Sequence, residues 1–272
     1  MTSKTLAACL VPLLCACSAQ GDELSAPNTH PSADAALPSP DGGAPVGDAG
    51  TDAAGPDPCA PIANVSYALT SVTPKTKDAA KHGDVNLLLR SWRVAAGQAA
   101  SLIDIAGPTD GRAPKLYTLF EDSRAPTFRG VYQVEGWDWG KNAPSTFMTD
   151  PPVTMAGFAT GPAEIVRLPQ SGYDIGGGLQ ALVLYATTDT ITLKYTRDDD
   201  VVSGYTIHLA NVCVEPRLRA LYDQANAAGR TELPGLAAKQ PLGRARKGEL
   251  LVTIRDTGSW MDPRSRKDWY QP

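Results

Sequence analysis

The chain has 272 residues, 42% of them hydrophobic, with 25 Lys and Arg against 29 Asp and Glu and a formal net charge of −4. That length allows one or two domains, and the composition is that of a globular chain with enough apolar residues for a core. Without a basic excess nucleic acid is not an expected partner, and no run of about 20 apolar residues follows the N-terminus to form an internal transmembrane helix.

Residues 1–16 read as an export signal. Lys4 is the only charge before a short apolar run over 6–14, too short to span a bilayer. The run ends in Leu14-Cys15-Ala16-Cys17, which resembles the bacterial lipobox, a Leu three positions before a Cys with a small residue just ahead of it. The resemblance implies cleavage before Cys17 and a diacylglyceryl group on its sulfur, so that the membrane is a partner through this anchor. Ser18 in the next position implies the outer membrane, on its periplasmic or its surface face. An ordinary secretory signal cut nearby is the alternative.

Residues 17–57 follow as the lipidated cysteine and a disordered linker. The linker is rich in Ala, Pro, Gly, Ser and Asp, with no aromatic residue and no Lys or Arg, so it cannot bury enough apolar surface to fold. Asp22, Glu23, Asp34, Asp41, Asp48, Asp52 and Asp57 make it acidic. As a flexible coil it spans on the order of 35 Å, a stalk between membrane and domain. Without Lys4 and these acids, residues 58–272 keep 24 basic and 22 acidic side chains and are close to neutral. Of the five cysteines, Cys9 and Cys15 leave with the signal and Cys17 is lipidated on the lipobox reading. Cys59 and Cys213 remain, and in an oxidising compartment the pair reads as a disulfide. Two unrelated buried thiols are the alternative.

Residues 58–272 read as a single, mainly β domain: an antiparallel sheet or sandwich with one short C-terminal helix. A first strand lies within 60–73, where Val65, Tyr67 and Leu69 alternate. A charged loop spans 74–83, and strands follow at 85–94, 101–106 and 128–135, with 116–121 ambiguous. Gly136-Trp137-Asp138-Trp139-Gly140 breaks the pattern, and 144–152 reads as loop. Short strands at 153–158 and 164–168 precede a glycine-rich turn over 169–178.

The organising stretch runs from Gln180 to Cys213. An apolar run at 181–187 and alternating runs at 190–197 and 205–212 make a meander, turned by Asp198-Asp199-Asp200 and Ser203-Gly204. Glu215-Pro216 then starts the best helical pattern, with Leu218, Leu221, Tyr222 and Ala225 on one face and Gly229 as its stop. A loop spans 233–243 and a last strand 249–255. The tail, with Trp260, Trp269 and Tyr270, is expected to dock on the body.

Four segments within about 169–264 carry a second resemblance. They are Ser171-Gly172-Tyr173-Asp174-Ile175, Tyr205-Thr206-Ile207-His208-Leu209, Ala238-Lys239-Gln240-Pro241-Leu242-Gly243, and 249–255 with the later Asp262-Pro263. Their pattern resembles the lysostaphin-like zinc metallopeptidases that cut peptidoglycan cross-bridges. The resemblance implies a β-sheet fold and puts Asp174 at a metal-ligand position. The family's first ligand histidine falls on Gln170, and its H-x-H pair falls on Glu249 and Leu251. Zinc needs three or four converging N, S or O ligands. Residues 58–272 offer only His82 and His208, neither in an H-x-H, so the metal chemistry is lost and no cofactor is expected.

His208 lies on a strand, where a histidine is a structural hydrogen-bonding residue or, in an active enzyme, a base. Trp137 and Trp139 share a face of any extended segment. With Tyr132 and Asp138 they offer a sugar-stacking surface, rings against apolar sugar faces and a carboxylate for hydroxyls, unless the rings are core. Asp198–Asp200 reads as a solvated turn rather than a calcium loop. The basic residues Lys239, Arg244, Arg246, Lys247, Arg255, Arg264, Arg266 and Lys267 read as a solvated surface. The expectation is a non-catalytic cell-envelope lipoprotein displaying a module for peptidoglycan, another envelope glycan or a protein. A divergent peptidoglycan hydrolase using His208, Asp174 and Glu249 is the alternative.

Overall fold

The computed structural model describes residues 57–73 and 78–271. The signal, Cys17 and the linker up to residue 56 lie outside the described residues. Among those described, the fold is mainly β and antiparallel, as the patterning implies. In chain order the strands are β1 (Ala68–Ser71), β2 (Trp92–Val94), β3 (Phe128–Asp138), β4 (Ala143–Phe147), β5 (Met155–Ala159), β6 (Ile165–Arg167) and β7 (Leu179–Ala186). There follow β8 (Thr190–Lys194), β9 (Tyr205–Ala210), β10 (Val212–Val214), the helix α1 (Pro216–Ala227), β11 (Glu232–Ala237), β12 (Pro241–Ala245), β13 (Glu249–Asp256), β14 (Ser259–Met261) and the short helix α2 (Arg266–Trp269). The larger sheet has the order β1-β11-β7-β8-β9-β13-β5-β3-β2, with β14 added to β13 and β4 to β3; the smaller is β10-β12-β6.

β13 is the hub. It pairs with β9 along one side, and along the other with β5 through Glu249–Val252 and then with β14 from Ile254 to Asp256. Its alternation sends Leu250, Val252 and Ile254 into the main core with Ile191, Leu193, Ile207 and Leu209, closed by Leu218, Tyr222 and Ala225 of α1. Each such Leu, Ile or Val contributes about 1.5–3 kcal/mol by leaving water. Leu251 points the other way, into a second cluster with Leu87, Val134, Met155 and Trp260. The helix starts as its sequence predicts. The buried Glu215 carboxylate accepts from Arg217 N at 2.7 Å and Leu218 N at 3.1 Å, and Pro216 occupies the first turn.

The second sheet face departs from expectation. β8 alternates in sequence, yet all five of its residues are buried. At Thr192 the cover comes from residues 78–91, expected in part as a strand over 85–94. They form two 3-10 turns, Ala79–Lys81 and Leu87–Leu89, because the Asp78 and Asn86 side chains cap the N–H groups of Ala80 and Leu88. The Thr192 hydroxyl donates to the Val85 carbonyl at 2.7 Å and so pins this cover to β8.

Other boundaries move for local reasons. Residues 101–106 make one isolated bridge, Ile103 to Ser265, rather than a strand. The glycine–tryptophan segment continues β3 to Asp138 and turns back as β4, and 233–243 holds β11 and β12 rather than loop. Pro234 is tolerated in β11 because it pairs only with Leu69 of the short β1, and the β7 ladder begins at Gly235. Asn211, with φ +61°, splits the last meander strand and passes the chain from the large sheet to the small one.

Cys59 and Cys213 form the expected disulfide, with Cα atoms 5.2 Å apart. Asp199 and Asp200 are buried rather than solvated, because Asp199 pairs with the buried Arg230. The tail docks as predicted. Trp269 is 1% exposed and its Nε1 donates to the Asp262 carbonyl at 2.8 Å.

Candidate functional site

The site is built where β5 leaves β13 and β14 takes its place. Against β4 the register of β3 shifts between Glu135 and Trp137, and this bulge breaks strict alternation and re-aims the Trp137 indole. Gly83 of the covering segment meets that ring closely, since a Cβ at 83 would overlap the indole carbons. Arg90 locks the two elements together. Its Nε donates to the Gly83 carbonyl at 2.7 Å and its Nη1 to the Glu135 carbonyl at 2.8 Å.

From the other side comes Arg255 of β13, paired in register with Trp260 of β14. Asp84 joins the two arginines: its Oδ1 accepts from Arg90 Nη2 at 2.7 Å and from Arg255 Nη1 at 2.6 Å. Both guanidinium groups lie over the Trp260 ring, at 5.6 and 4.8 Å from its centroid, and Arg90 is also 5.3 Å from that of Trp137. Such contacts between a cation and an indole are strongest where water is excluded, and Arg90 and Arg255 are only 4% and 6% exposed.

Together these residues floor and wall an open cleft of about 470 Å³, a volume typical of small-molecule sites. Trp139 stands at its mouth, 56% exposed, and leans on His82 with centroids 5.1 Å apart. The rings of Trp137 and Trp139 lie 6.2 Å apart at 60°, so they form an angled corner rather than one flat platform. Trp137 is half-buried, and its Nε1 has no hydrogen-bond partner among the described residues. Exposed Asp150 also lines the cleft. Burial pushes the Arg90 guanidinium down to about 10, opposed by Asp84 and reinforced by the like charge of Arg255.

Of the expected sugar-stacking set, Trp137 and Trp139 line this cleft and Tyr132 and Asp138 do not. Tyr132 donates its hydroxyl to Glu249 Oε1 at 2.9 Å. Asp138 caps the β3–β4 turn, accepting from Gly140 N and Lys141 N. The trio of the hydrolase reading is not brought together. Glu249 opens β13, His208 faces Thr253 four residues further along it, on the order of 13 Å away, and exposed Asp174 caps the turn at Gly176. Among the described residues, no group of three or more His, Cys, Asp and Glu is arranged to hold a metal ion.

His208 is 2% exposed and stacks near Trp260, at 6.4 Å and 30°. Thr192 spends its hydroxyl proton on Val85, so the 3.0 Å contact assigns the proton to His208 Nδ1, which donates to Thr192 Oγ1. Burial, then Arg255 and Arg90, hold the ring well below its ordinary pKa, so it is neutral. This makes His208 a structural donor behind the cleft.

Sequence reasoning missed Arg90, Asp84 and the role of Arg255 and Trp260. Arg255 reads as a solvated C-terminal charge, like Arg264, yet both are buried, and Arg264 pairs with Asp262 at 2.7 Å. The one available signal was Arg255 itself, an arginine on the alternating face of an otherwise apolar strand. No protein-family model, curated protein or solved structure matches the chain.

Proposed function

We propose that the protein is a non-catalytic cell-envelope lipoprotein whose β domain binds envelope glycan in the cleft between Trp137, Trp139 and Trp260, held at the membrane by lipid on Cys17. The carrying observation is the exposed Trp139 ring at the mouth of a cleft walled by two further indoles and floored by Asp84, Arg90 and Arg255. Indole faces pack on the apolar faces of a pyranose, while carboxylate and guanidinium groups meet its hydroxyls and fix its orientation. The anchor rests on Leu14-Cys15-Ala16-Cys17. A single acyl chain binds membranes only marginally, so the multiply acylated N-terminus of a mature lipoprotein is part of the proposal.

The test is co-sedimentation with insoluble peptidoglycan. The wild type is expected to pellet with it and Trp139→Ala to stay in solution, with no soluble fragments released. Equal pelleting of the two proteins would remove the cleft from the account. Fragment release abolished by a chelator would restore the hydrolase. For the anchor, Cys17→Ser is expected to lose acyl labelling and leave the membrane fraction. A wild type without acyl label would refute it.

A further inference from the structure

We infer that the glycan taken by this cleft is anionic, with its acid group seated against the paired guanidiniums of Arg90 and Arg255. The inference rests on the glycan reading above and adds the charge of the ligand.

The argument is one of unequal partners. Arg90 and Arg255 converge on a single oxygen, Oδ1 of Asp84, so two cations at the cleft floor share one carboxylate. Both arginines and Asp84 are buried, where unbalanced charge is costly. Among the described residues each guanidinium engages three of its nitrogens: Arg90 with Gly83, Glu135 and Asp84, and Arg255 with Asp84 and, twice, Gly258. A guanidinium carries five N–H donors, so each retains donor capacity at the cleft floor. The nearby acids do not even the account. Glu135 bonds its carboxylate to Ser91 N and reaches Arg90 only through space, as the last of the influences on that guanidinium, and Asp150 is solvent-exposed. Both guanidinium groups are held over Trp260, and a guanidinium's planar fork matches carboxylate, sulfate or phosphate oxygens.

The test is a glycan array carrying each uronic-acid oligosaccharide as free acid and as methyl ester, with sulfated and neutral glycans alongside. The acid and sulfated forms are expected to bind, and esterification to weaken binding at least about tenfold. Arg255→Gln is expected to abolish the preference for acid over ester, and Arg255→Lys to retain part of it. If Arg255→Gln fails to fold, Trp139→Ala, altered only at an exposed ring, should lose every glycan that the wild type binds. Binding of neutral glycans or esters as tightly as acids, lost in Trp139→Ala, would overturn the anionic assignment and leave the glycan site standing. Absence of any glycan binding by the wild type would overturn both.

Discussion

Arg230 grips Asp199 through two parallel bonds, Nε to Oδ2 at 2.8 Å and Nη2 to Oδ1 at 2.6 Å, with both side chains buried. Arg230 also donates to the Leu184 carbonyl and to Asn226 Oδ1, so one guanidinium ties the turn after β8 to β7 and to the end of α1. Removing one partner strands the other charge inside the protein. Asp199→Ala is expected to cost about 3–5 kcal/mol, read as a lower urea midpoint with unchanged slope. A loss below about 1 kcal/mol would mean that water reaches the pair.

The disulfide closes a loop across 154 residues of sequence separation. The chain-entropy argument puts its worth at up to about 5 kcal/mol. Cys213→Ser is expected to lower Tm, and reductant should bring the wild type down to the same value. Unchanged Tm in both experiments would show that the bond adds nothing to stability.

His208 gives the fold a defined acid sensitivity. An unfolded chain takes up a proton near pH 6.5 that the buried ring refuses, because its folded pKa is depressed. The unfolded state therefore binds more protons below that pH, and stability falls on acidification by up to about 1.4 kcal/mol per pH unit until the depressed folded value is reached. Above pH 6.5 this contribution is fully present. His208→Asn keeps an N–H toward Thr192 and should flatten the dependence of Tm on pH between 7 and about 5. An equally steep dependence in the variant would assign it to other groups.

Gly83→Ala tests how tightly the Trp137 wall is set. The new methyl overlaps the indole while the backbone itself needs no left-handed conformation. The expected outcome is a loss of about 1–3 kcal/mol from overpacking and a shifted tryptophan emission. An unperturbed emission spectrum would mean that the ring is free to move aside.

Much of the fold was legible because period and punctuation agreed. The meander, the Glu215-Pro216 helix start and β13 carry apolar runs, alternation or caps, and they fall within a few residues of the expected positions. What escaped was tertiary cover. Thr192 looks like a solvent-facing residue until the turns at 79–90 close over it, and Lys194 until its ammonium reaches the Ser203 carbonyl. No local pattern announces that a segment about 100 residues away supplies the Val85 carbonyl. The site was half legible for the same reason. Trp137 and Trp139 declare themselves by adjacency, whereas Asp84, Arg90 and Arg255 meet only because β3, β13 and the covering segment converge.

The link between Cys59 and β10 also decides how the domain answers a mechanical pull. Tension applied at residue 57 along the backbone alone would reach β1, an edge strand of four residues, and peel it from β11 one pair at a time. With the disulfide closed, the force crosses at Cys59 into Cys213 and is delivered to a buried strand bonded to β12, so β1 feels none of it. Stretched between residue 57 and the C-terminus in an optical trap, the oxidised protein should lack a low-force lengthening step from β1, and the reduced protein should regain it.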